Sequence, residues 1–228
     1  MDMSAFTTKL QNYLEFIANI GFKGVDCSDQ ALETLKSWGQ HPLQENETLI
    51  DIENELKHCR KCRYAVEGRG GIMGEGQVGA RIMFVGGWPE LEDEGTGKPY
   101  SGKAGELLGR IIQAMDLTRE NVYITHALKC RPPQNAQPTA KDITICCGFV
   151  QREIMAVKPA MIFGLGEAAA KAMLEVDSPW ERLRGRFLNY NNIPVMPTYS
   201  PEHLLAHPSA KRETWNDIKR VVQKLKDL

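Results

Sequence analysis

Apolar residues recur along this chain with two periods. Residues 3–20 place Phe6, Leu10, Tyr13, Leu14, Ile17 and Ile20 near a 3.6-residue repeat, which predicts an amphipathic helix stopped by Gly21 and Gly24. Ala31–Trp38 and Thr48–His58 predict two further helices. The pattern then changes to short uninterrupted apolar runs at Ala80–Gly86, Val122–Leu128, Pro159–Gly164 and Ile193–Thr198, the signature of strands buried on both faces. Helical periods fill the intervals at Lys103–Met115, Ile143–Val157 and Glu167–Glu175, and Pro208–Leu225 predicts a last helix. Strands alternating with helices imply a three-layer α/β/α sandwich around a central four-stranded parallel sheet. Residues 1–45 read as a helical N-terminal extension and 46–228 as the main domain. Ligands of such sheets sit at the carboxyl ends of the strands. Segments 87–103, 126–137 and 198–207 lie there and should converge on one cleft.

Composition adds few exclusions. Of 228 residues, 42% are hydrophobic and 25% charged, as in an ordinary globular protein. No apolar run approaches the roughly 20 residues that cross a bilayer, and the first residues show no signal core, so a cytoplasmic location without a membrane partner is expected. The formal net charge of −1 is unevenly divided. Residues 1–57 hold ten acids against four lysines, a net of −6, which leaves +5 on the rest. A basic body behind an acidic segment is compatible with a phosphate-tracking surface, and equally with a plain solvated face.

The six cysteines change the picture more. In a reducing compartment they read as metal ligands rather than disulfides. Cys59 and Cys62 form a C-x-x-C half-site, for which a redox pair or chance are alternatives. From Glu120 the chain reads as a strand, breaks at Pro132 and Pro133, and re-enters a helix near Thr139. Cys130 and Cys146 stand on either side of that break. Four thiolates suit an iron–sulfur cubane or a structural zinc; Cys27 reads as a small buried hydrophobe.

From about His58 onward the sequence resembles the iron–sulfur branch (family 4) of the uracil-DNA glycosylase superfamily. Four pieces carry the resemblance: Cys59-x2-Cys62 with Cys130 and Cys146; Gly86-Gly87-Trp88-Pro89 through Asp93-Glu94 into Gly97-Lys98-Pro99-Tyr100-Ser101-Gly102-Lys103; Lys129-Cys130-Arg131-Pro132-Pro133-Gln134-Asn135; and Thr198-Tyr199-Ser200-Pro201-Glu202-His203-Leu204-Leu205, followed by Lys211, Arg212 and Trp215. The resemblance implies a [4Fe–4S] cluster on Cys59, Cys62, Cys130 and Cys146, with zinc as the alternative. It implies DNA as partner, single- or double-stranded, and a base flipped into a pocket. Tyr100 stands where the family has a stacking Phe. Ser200–Leu205 corresponds to its minor-groove insertion loop, with Leu204 or Leu205 as wedge. Lys98, Lys103, Lys129, Arg131, Lys211 and Arg212 are candidate phosphate contacts.

The departures fall on the chemistry. Gly87 replaces the family's water-positioning acid, His126 its base-reading Asn, and Ser200 the His that stabilises the departing base anion. One expectation is therefore a glycosylase with a rebuilt pocket, in which Glu90, Asp93 or Glu94 handles water and His126 serves the base, assisted by Asn135, Ser200 and His203. In this reading Gly87 and Trp88 line the pocket. The other expectation is a cluster-bearing DNA- or partner-binding homologue without catalysis, working through the N-terminal extension.

Overall fold

The computed structural model describes residues 47–65, 70–133, 136–174, 176 and 178–227. The chain divides into two compact units, 1–44 and 45–228, and everything below lies in the second. The expected N-terminal helices and Cys27 fall outside the described residues, as do Gln134 and Asn135.

Helix α1, Leu49–Lys57, starts at a reciprocal cap: Asp51 N–H donates to the Thr48 hydroxyl, and the Asp51 carboxylate accepts from the Thr48 backbone. The sheet follows. Strand β1 is Glu75–Gly76, β2 Ile82–Gly86, β3 Tyr123–His126, β4 Met161–Leu165, β5 Leu188–Tyr190 and β6 Ile193–Thr198. Their spatial order is β1-β3-β2-β4-β6-β5. The inner four are mutually parallel, as expected. The sheet has six strands rather than four, because the short β1 and β5 close its edges antiparallel. β5 turns into β6 through Asn191 and Asn192, both at positive φ (47° and 69°), a two-residue turn whose twist suits a hairpin.

Helices cover both faces. Helix α3, Lys103–Gln113, puts Leu107, Leu108, Ile111 and Ile112 on one face of the sheet beside Phe84, Ile124 and Phe163. Helix α8, Lys211–Asp227, adds Ile218 and Val221 there. On the other face, α4 (Ala140–Val157) and α5 (Glu167–Leu174) pack Ile143, Val150, Ile154, Ala169 and Met173 on Met83, Val85, Tyr123 and Ile162. Successive strand residues thus alternate between two cores, and a strand buried on both sides is apolar along most of its length. A third core joins Ile52 and Leu56 of α1 to Tyr64, Leu128, Cys130, Cys146 and Phe149. Three short helices break the expected loops: α2 Leu91–Thr96, α6 Trp180–Leu183 and α7 Pro201–Ala206.

Under the sheet's carboxyl edge lies a buried ion pair. The Lys129 ammonium donates to Thr125 Oγ1 and Glu153 Oε2, each at 2.5 Å. Glu153 also accepts from Thr125 Oγ1, Tyr123 Oη and the Gly74 N–H. Both charged side chains are 0% exposed. Lys129 is therefore not a phosphate contact: its charge is consumed inside the protein, where leaving it unpaired would be costly.

Candidate active site

Three of the strand-end segments converge, as the alternation of elements predicts. A cleft of about 1110 Å³ opens at the carboxyl ends of the parallel strands, lined by Gly87–Glu90 after β2, Arg131 and Pro132 after β3, and Ser200 and Glu202 after β6. A fourth wall, Leu165–Ala168 after β4, was not expected to take part.

Behind Glu90 sits a buried dyad. Asp93, on α2, is 3% exposed and His126, the last residue of β3, 2%. His126 Nε2 lies 3.2 Å from Asp93 Oδ2. The same carboxylate accepts the Ser101 N–H at 2.7 Å and the Glu90 N–H at 3.1 Å. Burial pushes the Asp93 carboxyl up, but the His126 bond and the two backbone N–H groups outweigh it and hold the acid below its usual range. An ionised carboxylate only accepts, so the bond assigns a proton to Nε2. Nδ1 is buried with no hydrogen-bond partner among the described residues.

Tyr100 closes over this dyad. Its ring stacks on His126 with centroids 4.6 Å apart and planes 28° apart. Two glycines make room for it. A Cβ on Gly86 would overlap the Tyr100 hydroxyl, and one on Gly105 would overlap the Tyr100 carbonyl. Tyr100 itself holds φ +55°, uncommon for a bulky residue, between α2 and α3. Burial first, and then the charges of Glu202, Asp93 and Glu90, raise its phenol well above the usual tyrosine value, so it stays a hydroxyl. Burial and the charges of Glu202, Glu92 and Asp93 likewise raise Glu90 above the usual glutamate range. Carboxylates thus gather on one side of the cleft. Glu202, which sequence reasoning passed over, is one of them; its only signal was its place beside Ser200 in a strand-end segment.

The remaining candidates fall in several places. Ser200 caps α7, its hydroxyl accepting the His203 N–H, and its side chain faces Gly166 across the cleft wall. Gly87 lines the cleft; Trp88 lines it too and packs against the cysteine-bearing core. Leu204 is 1% exposed in the core and is not a wedge, whereas Leu205 is 42% exposed. Arg131 pairs with Glu94 at 2.8 Å, and Lys98 with Glu75 at 3.1 Å. Lys103, Lys211 and Arg212 are exposed at the starts of α3 and α8. His203, on α7, stacks on Tyr199. Asn135 lies outside the described residues.

The four expected thiol ligands share the third core: Cys130 and Cys146 are buried within it and Cys59 and Cys62 pack at its edge. The Lys129 N–H donates to Cys146 Sγ at 3.2 Å. Burial, then Cys146, Cys62, Cys59 and Glu94, pushes the Cys130 thiol up to about 12. Cys147 belongs elsewhere, facing the sheet with α5.

Residues 73–219 match the sequence pattern of the Uracil DNA glycosylase superfamily. The chain belongs to this superfamily. It is 34% identical over 184 residues to a type-4 uracil-DNA glycosylase of Saccharolobus solfataricus, covering 76% of this chain and 85% of that one. It is 32% identical over 183 residues to the type-4 uracil-DNA glycosylase of Archaeoglobus fulgidus, covering 77% and 92%. A type-5 uracil-DNA glycosylase of Pyrobaculum aerophilum is 28% identical over 187 residues. The match to the superfamily spans every segment that builds the cleft.

Proposed function

We propose that this member of the superfamily is a DNA glycosylase, hydrolysing the N-glycosidic bond of a flipped uracil or other altered base in DNA to leave an abasic site. The observation that carries the reading is the buried Asp93–His126 dyad behind a carboxylate-lined cleft at the strand ends, in a chain similar along most of its length to type-4 uracil-DNA glycosylases. The chemistry follows from the groups present. Glycosidic cleavage builds positive charge on the sugar and negative charge on the leaving base. Glu90 and Glu202 at the cleft face the first need, and Glu90, with its raised proton affinity, suits a group that accepts a proton from water. His126, oriented by Asp93, serves the second. Nδ1 is the nitrogen left to meet the base, accepting from a base N–H, or donating to the departing base where the imidazole carries both protons. Tyr100 contributes an apolar face and a neutral hydroxyl.

The four thiols fit a [4Fe–4S] cluster held by Cys59, Cys62, Cys130 and Cys146. Among the described residues no three ligand side chains converge on a single ion. A cubane takes four thiolates, one at each iron, and a structural zinc takes four at one ion. When bound, the cluster would fix the segment after β3 to the end of α1 and could exchange electrons. Reduced cysteines of this kind suit the cytosol, and no helix among the described residues is long and apolar enough to cross a membrane.

The test is a panel of oligonucleotides carrying uracil, hypoxanthine, xanthine, mismatched thymine and bulky modified pyrimidines, single- and double-stranded. Alkali-labile sites at one or more of these bases are expected. DNA binding without any such site would instead favour a non-catalytic homologue acting through residues 1–45.

A further inference from the structure

A second aromatic arrangement lies outside the Asp93–His126 site. Tyr199, just after β6, stacks on His203 with centroids 4.6 Å apart and planes 8° apart. His203 stacks in turn on His207, at 4.4 Å and 23°. Trp180 meets Tyr199 edge-on at 6.1 Å. The spacing that builds the pile is local: His203 lies on α7 and His207, four residues on, is the residue that ends it. One helical turn brings two such side chains onto the same side.

The two ends of the pile differ. At the inner end the Arg184 guanidinium lies 4.9 Å from the Tyr199 ring centre, with its charge taken by Glu213 at 2.7 Å and Asp217 at 3.1 Å. That end is sealed by packing. Tyr199 and His203 are half-buried, and the outer ring, His207, is exposed. Core packing accounts for the sealed end and leaves the open one unexplained. α7 also carries Glu202, which lines the cleft, and the exposed Leu205. After His207 a single 3-10 turn, Pro208–Ala210, leads into α8 with exposed Lys211 and Arg212.

We propose that the Tyr199–His203–His207 pile is a stacking platform for an unpaired DNA base next to the flipped nucleotide, with Lys211 and Arg212 meeting the adjoining phosphates. The inference rests on the glycosylase reading only for the place of the strand. Nucleobases stack on aromatic faces whatever their identity, and the gain is roughly ten-fold in affinity per base. In a duplex that base is already stacked on its neighbours. The platform therefore favours single strands, or duplexes opened beside the lesion.

The test uses full-length protein and oligonucleotides with 2-aminopurine placed one or two positions to either side of a uracil. Fluorescence reports stacking of that base and needs no excision. On single strands, wild-type protein is expected to quench one flanking position. His207→Ala should abolish the quench and weaken binding about ten-fold, and His207→Tyr should restore both. Paired duplex probes should show little difference between variants. Absence of quenching at every flanking position in wild type would overturn the proposal, as would a His207→Ala protein that quenches and binds like wild type. Quenching in a protein that excises no base would keep the platform and remove the enzyme, and excision without quenching would do the reverse.

Discussion

Asp93 is the residue on which the site's electrostatics turn. It holds three hydrogen bonds at once, two from backbone N–H groups and one from His126, and it fixes which imidazole nitrogen is free. Asp93→Asn keeps the volume and removes the charge. Single-turnover excision is expected to fall by about 10²-fold or more, with a much smaller change in DNA affinity; equal losses in both would assign Asp93 to binding. The acid limb of stability checks the same charge independently. Because the folded Asp93 carboxyl lies below its unfolded value, its contribution is complete above pH about 4 and disappears as pH falls through the folded value. Asp93→Asn should show a shallower loss of stability below pH about 4 than wild type, and an unchanged acid limb would contradict the placement. Glu90, Asp93 and His126 could be named from the sequence one residue at a time, because they fall in the segments that resemble the superfamily's motifs. Their pairing could not, because a hydrogen bond between α2 and β3 depends on how a loop folds back over the sheet. Glu202 escaped for the same reason.

At the scale of elements, β3 and α4 carry two separate loads. The Lys129–Glu153 pair locks the segment after β3 to the C-terminal half of α4, one residue before Cys130. Lys129→Met leaves Glu153 as an unpaired buried charge and should cost about 3–5 kcal/mol, read as the free energy of unfolding in urea. The double variant Lys129→Met/Glu153→Leu should recover much of that loss; a single variant within 1 kcal/mol of wild type would show that the pair is not sealed from water. The parallel strands could be read from their apolar runs, since burial on both faces leaves little freedom for polar residues. The edge strands could not. β1 has two residues, and β5 is half-exposed with a mixed pattern. The Asn191–Asn192 turn was the available hairpin signal. The same limit explains Lys129 and Leu204, whose sequence positions sit in loop-like motifs while their side chains point into the cores.

For the whole molecule, the third core ties three distant stretches together: the end of α1, the segment after β3 and α4. If a cluster occupies the four thiols, its loss loosens the wall that carries Arg131 and Pro132 into the cleft. Cys146→Ser should therefore lose visible absorbance and several degrees of melting temperature. Cys147→Ser should keep the absorbance, since Cys147 packs with the sheet and not with the other thiols. Equal bleaching by both variants would contradict the ligand set. The central claim, that His126 behind the cleft serves base excision, is tested most directly by single-turnover excision of the best base in the panel by wild type and by His126→Ala, both confirmed folded by their melting curves. Abasic sites formed by wild type and reduced at least 10²-fold in the variant are the expected result. Equal excision by the two proteins would contradict it.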